Sequence, residues 1–150
     1  MGASREITER AYAALAAFDT DGFLALCAPD CEFDEAGTHL RGHEQIRAFI
    51  GAYLTAMPDI RVEVRTLVEE GERVATETRF TGTHEGPLQT PAGPIPATHK
   101  PVDLTTADFV TIRGGQIAAW HVYMDTAEFM RQLGLAPGSE GAPQAAAPAG

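Results

Sequence analysis

The chain has a single lysine, Lys100, and its 11 basic residues face 21 acidic ones, for a formal net charge of −10. That balance excludes a nucleic-acid-binding surface, which needs a basic stripe. It also excludes a polybasic membrane anchor. Only two cysteines occur, Cys27 and Cys31. They are too few for a disulfide framework, and no further ligands lie at zinc-site spacing, so both are expected to be buried free thiols. No apolar run approaches the roughly 20 residues that span a bilayer. The first residues, MGASREITER, contain no apolar signal segment, and Glu6 stands where a myristoylation signal wants serine or threonine. A cytoplasmic protein with neither nucleic acid nor membrane as partner is expected. The sequence has no HxH or HExxH pair, no GxSxG, no glycine-rich phosphate loop and no nucleophilic Cys–His signature, so metal ligation and covalent catalysis find no support.

What is present is enough for one domain with a real core: 150 residues, 44% of them hydrophobic. Residues 1–135 read as that domain. Residues 136–150, rich in Ala, Pro and Gly, read as a disordered low-complexity tail.

Ser4 is placed to cap a helix carrying Ile7, Ala11, Ala14, Leu15 and Phe18 at helical spacing, with Tyr12 beside the stripe. Asp21 can cap a short second helix through Phe23, Leu24 and Cys27, stopped by Pro29. A strand over 31–37 puts Phe33 and Glu35 on one face. Gly42 opens the strongest helix, marked by Ile46, Phe49, Ile50, Tyr53, Leu54 and Met57 and ended by Pro58. From Ile60 the period changes to two. Ile60, Val62, Val64 and Val68 face one way, and Arg61, Glu63 and Arg65 the other. A second strand over 73–83 points Val74, Phe80 and the following His84 inward. Residues 85–101 form a long Pro/Gly loop of the kind that serves as a lid or binding loop.

The stretch from Val102 to Asp125 organises the rest. Gly114-Gly115 supplies the positive φ angles of a two-residue hairpin turn between two long strands. On the first strand Val102, Leu104, Thr106, Asp108, Val110 and Ile112 share a face. A carboxylate therefore sits on the side that should be buried, where it needs partners or a proton. The return strand carries Ala118, Trp120, Val122 and Met124 on one parity, and Ile117, Ala119, His121, Tyr123 and Asp125 on the other. Either parity could face the core. Thr126 can cap a last helix, closed by Gly134. Helices, then antiparallel strands, then a short helix make an α+β order. The expected architecture is a curved, mostly antiparallel sheet forming a cone, packed by the N-terminal helices and open at one end as a pocket.

The segments FTGTHEGPL, VDLTTADFVTIRGGQI and HVYMDTAEFMRQLGL, with FDEAGTHLRGHEQIRAFI before them, resemble SnoaL-like polyketide cyclases of the nuclear transport factor two-like superfamily. The resemblance covers roughly residues 5–135. It implies a cystatin-like α+β barrel and cofactor-independent closure of a ring by intramolecular aldol reaction on a hydrophobic carbonyl substrate. The family's acid/base aspartate then falls at Asp125. Ketosteroid isomerases share the fold, and their three catalytic groups fall at Tyr12, at Glu35 or Asp34, and at Asp108. The resemblance implies a general base at Asp125 or Glu35, and hydrogen bonds to an enolate oxygen from Asp108 with Tyr12 or His121. His84, Phe33, Phe49, Tyr53, Phe80, Trp120 and Met124 are the expected substrate contacts, and no cofactor is expected. Epoxide opening or a dehydration in the same pocket is a second reading. Epoxide hydrolysis needs a positioned water held between polar groups; the relatives that do it set an arginine between two aspartates, and Arg79, the nearest candidate here, has outward parity. A non-catalytic binding or dimerisation module is the remaining alternative. If His121 and Tyr123 face outward, that sheet face suits a homodimer.

Overall fold

A computed structural model describes residues 2–135. The expected tail lies outside the described residues. Helix α1 (Ala3–Ala16) leads through α2 (Thr20–Ala25) to strands β1 (Cys27–Glu35) and β2 (Thr38–Arg41), then to the long helix α3 (His43–Ala56). Strands β3 (Arg61–Glu70) and β4 (Arg73–Thr83), the short pair β5 (Leu88–Thr90) and β6 (Gly93–Ile95), and strands β7 (Pro101–Arg113) and β8 (Gln116–Met124) follow. Helix α4 (Thr126–Gln132) comes last.

Six strands form one sheet in the order β2-β1-β8-β7-β4-β3. All neighbours run antiparallel except β1 and β8, which are parallel. Helices α1, α3 and α4 pack against this sheet. The fold is α+β, as the order of patterns predicts. Buried residues alternate without interruption along β7, from Val102 through Asp108 to Ile112, so the inward face read from the sequence is the real one. Gly114 and Gly115, with φ of 60° and 77°, make the turn to β8.

Two bulges change what alternation alone predicts. In β8, Ile117 pairs with Ile112 and Ala119 with Thr111, so Ala118 is the extra residue. The bulge lets Ile117 and Trp120, which strict alternation puts on opposite faces, both point inward; they are 0% and 2% exposed. In β3 the register slips between Val64 and Thr66. Leu67 therefore turns toward the core, and Val68, expected inward, is 59% exposed.

The helix starts also differ from expectation. Ser4 is buried inside α1, and its carbonyl accepts from the Thr8 hydroxyl. The free N–H groups of Gly2 and Arg5 are bonded instead by the Glu69 carboxylate of β3, each at 2.9 Å, which ties the helix end to the sheet. Asp19 rather than Asp21 caps α2, accepting from the Gly22 N–H. Strand β1 begins at Cys27, before Pro29 instead of after it, and residues 38–41 add the short strand β2. Cys27 and Cys31 are buried free thiols. No helix among the described residues is long and apolar enough to cross a membrane.

Candidate active site

Between α1, α3 and the inward face of the sheet lies a cavity of about 780 Å³. Its contents follow from strand register. One inward row runs Leu67, Thr76, Asp108, Val122, Glu35 across β3, β4, β7, β8 and β1. The next runs Val64, Thr78, Thr106, Met124. Two carboxyl groups thus stand in one row, separated by a single strand, with hydroxyls beside one of them.

Asp108 is 5% exposed and is met by three donors. The Tyr12 hydroxyl donates to its Oδ2 at 2.7 Å, the Trp120 indole N–H donates to the same oxygen at 3.0 Å, and the Thr106 hydroxyl donates to Oδ1 at 3.2 Å. A second layer supports them. Thr76 lies 2.6 Å from the Tyr12 oxygen, and Thr78 lies 2.5 Å from that of Thr106. A carboxylate only accepts, so every proton in this network points toward Asp108. Burial nevertheless holds the Asp108 pKa above the usual carboxylate range, because desolvation outweighs the three hydrogen bonds that oppose it. Tyr12 is pushed up by its own burial and by the Asp108 charge.

Glu35, at the end of β1, lines the same cavity. Desolvation raises its pKa to about 7; a hydrogen bond with Tyr53 works against this, and the Asp108 charge adds to it. Tyr53 in turn is raised by burial and by Glu35. The Tyr53 ring belongs to an aromatic wall. It meets Phe49 at 5.2 Å and Phe80 at 6.1 Å between centroids, and Phe33 stands 5.5 Å from Phe49. Phe33, Phe49, Tyr53, Phe80, Trp120 and Met124 all line the cavity, together with Tyr12, Glu35 and Asp108.

Three expected site residues stand elsewhere. Asp125 is exposed and is the N-cap of α4, its carboxylate accepting from the Glu128 N–H at 3.0 Å. The chain turns into α4 there, which directs the side chain along the helix start and away from the cavity. His121 lies on the outer sheet face because the β8 bulge commits the Trp120 parity inward. Its Nδ1 meets Asp34 Oδ2 at 2.7 Å, and His39 holds the other oxygen of the same carboxylate. His84 is fully buried but does not line the cavity. Its Nδ1 accepts from the Thr98 N–H, and its main chain bonds Lys100 and His99, so it fastens the 85–101 segment. That segment is partly ordered by the β5–β6 hairpin. Arg79 is held by Asp103 on the outer face, at the rim of the cavity.

The composition of the wall adds residues that side-chain chemistry alone did not single out. Thr76, Thr78 and Thr106 surround Asp108, and their signal was parity: Thr76 and Thr78 alternate with Val74 and Phe80 on the buried face of β4. Among the described residues no group of His, Cys, Asp and Glu is placed to hold a metal ion. The arrangement can move protons between two carboxyl groups and a carbonyl compound in an apolar, aromatic chamber.

No curated protein matches the sequence at a significant level. Solved structures do. A candidate SnoaL-like polyketide cyclase from Jannaschia sp. CCS1 is 21% identical, with a TM-score of 0.78, covering 87% of this chain and 91% of that one. TsrD from Streptomyces laurentii is 25% identical, with a TM-score of 0.76 over 89% and 96% of the two chains. A protein of ketosteroid isomerase-like fold from Catenulispora acidiphila, solved with trimethylamine, is 21% identical, with a TM-score of 0.72 over 87% and 93%. The model of the SnoaL-like domain matches residues 8–120, which run from α1 through the hairpin to Trp120. With the motifs, the fold and that match in agreement, the chain belongs to the SnoaL-like domain family.

Proposed function

We propose that the protein is a cofactor-independent cyclase acting by enolisation and intramolecular aldol closure on a hydrophobic carbonyl compound. The observation that carries this reading is the pairing of Glu35 and Asp108 in one inward row of an aromatic cavity. The Asp108 charge adds to burial in disfavouring ionisation of Glu35, so the two carboxyl groups hold one proton between them near neutral pH. The three hydrogen bonds to Asp108 favour that proton on Glu35 at rest. In the reactive tautomer it has moved to Asp108, whose Oδ1 donates to the substrate carbonyl while ionised Glu35 removes the proton from the neighbouring carbon. The enol then attacks a second carbonyl of the same molecule. A carbon–carbon bond forms, the new alkoxide takes the proton from Glu35, and the enol hydroxyl returns its proton to Asp108. The site carries the same net charge before and after, so no isolated charge develops in the apolar chamber. Tyr12 and Trp120 hold Asp108 in place and stabilise its ionised form.

The test is exchange of α-hydrogens of an apolar β-keto ester in D2O, followed by NMR. Wild type should accelerate exchange, and Glu35→Gln should lose the acceleration while keeping the fold. Exchange that survives in Glu35→Gln at the wild-type rate sinks the assignment. An isomerase would use the same enolisation step without ring closure, and turnover of a Δ5-3-ketosteroid with no cyclisation of β-polyketones would favour that alternative.

The outer sheet face supports a homodimer. Phe109 and Tyr123 pack edge to face with centroids 5.8 Å apart, yet are 41% and 61% exposed, and Val68 stands 59% exposed in the row of Phe109. An apolar patch with paired aromatics is the composition of an interface centre.

A further inference from the structure

The β4–β7 wall of the cavity holds more polar groups than this acid/base scheme uses. Thr78 and Thr106 are paired residues on the two strands, 1% and 6% exposed, and both line the cavity. Valine has the same shape and would avoid the desolvation cost of a buried hydroxyl. Proton bookkeeping says what the two hydroxyls leave open. Thr106 spends its proton on Asp108 Oδ1. The proton between Thr106 and Thr78 must therefore come from Thr78. No group among the described residues donates to the Thr78 oxygen, so its lone pairs are available to a donor in the cavity.

We propose that Thr78 is a second oxygen-recognising group of the cavity, accepting a hydrogen bond from a hydroxyl of the substrate. Asp108 and Thr106 are two apart on one face of β7, and Thr78 is the cross-strand partner of Thr106. Thr78 is thus the diagonal neighbour of Asp108, one two-residue step along the sheet and one strand across, about 8 Å away. The substrate class this selects is an apolar, planar compound with two oxygen functions on one edge, a phenol or enol hydroxyl at Thr78 and the reacting oxygen at Asp108. The inference rests on reading Asp108 as the partner of a substrate oxygen.

Two rigid probes test it by equilibrium binding: 2-naphthol, with one hydroxyl, and 2,7-dihydroxynaphthalene, whose two hydroxyls lie about 7 Å apart on one edge, close to that diagonal spacing. Wild type should prefer the diol by about fivefold to tenfold, the worth of one additional hydrogen bond. Thr78→Val should erase that preference, with the diol losing more affinity than 2-naphthol. Thr78→Ser, which keeps the hydroxyl, should retain the preference. Equal binding of both probes by wild type overturns the subsite alone, as does an equal loss for both in Thr78→Val. Failure of both probes to bind saturably to the folded wild-type protein overturns the oxygen site at Asp108 and the subsite with it.

Discussion

Glu35 and Asp108 face one cavity from either side of Val122, each paired with that residue across neighbouring strands. Two strand spacings separate their backbones, about 10 Å, and both side chains line the cavity. Each is held above the ordinary carboxylate range chiefly by desolvation, and the Asp108 charge is a further cause for Glu35. That relationship makes the pair the centre of the proposed chemistry and sets its pH dependence.

Activity should follow a bell in pH. The one-proton state of the pair is formed as the first proton leaves and is lost as the second leaves, with the descending limb near the Glu35 value of about 7. Tyr53→Phe removes a hydrogen bond that favours ionised Glu35 and should move that limb upward. A pH–rate profile of kcat/KM checks both, and a monotonic rise through neutral pH would point to a lone base instead.

Stability should fall as pH rises. The folded Glu35 pKa of about 7 lies above its ordinary 4.5, so its contribution is full below 4.5 and is lost as pH climbs through 7. The gap corresponds to at most about 3 kcal/mol. Glu35→Gln should therefore match wild type near pH 4 and exceed it near pH 8 in urea denaturation. Equal pH slopes for the two proteins would show that Glu35 is not desolvated.

Asp125→Ala should cost about 1 kcal/mol by removing the N-cap of α4, while α-hydrogen exchange is retained. Chemical denaturation and the exchange assay separate the two effects. Loss of exchange with unchanged stability would return the acid/base role to Asp125.

His84 is fully buried, and its Nε2 has no hydrogen-bond partner among the described residues, although the backbones of Gly86 and Ile95 lie near enough to favour charge. Burial lowers its pKa below 6.5. Its contribution is thus present above 6.5 and lost as pH falls through the lowered value. Amide hydrogen exchange across residues 85–101 should quicken at pH 5 relative to pH 7, after correction for intrinsic rates, and His84→Leu should flatten that dependence. Uniform protection at both pH values would argue against the imidazole as the fastening.

Tyr123→Glu should place a charge in the exposed Phe109–Tyr123 patch and convert a dimer to a monomer in sedimentation experiments, with the cavity chemistry unaffected. A wild-type monomer at the same concentrations would remove the case for that interface.

Alternation and turn chemistry in the sequence were enough to determine the α+β order, the β7–β8 hairpin and the burial of Asp108, because strand periodicity and glycine φ are local properties. The motifs carried the family, and the pattern placed Phe33 and Glu35 on one face. Which parity of β8 faces the core was not local. Ala118 bulges out, Ile117 and Trp120 both turn in, and His121 is left outside. The same reason moved Val68 to the surface and brought Leu67 inward. Asp125 carried equal chemistry in either role, and the path of the chain into α4 made it a cap. Cross-strand register alone set Glu35, Asp108, Thr78 and Thr106 around one cavity, since residues this far apart in sequence, from 28 positions for Thr78 and Thr106 upward, meet only when the sheet pairs their strands.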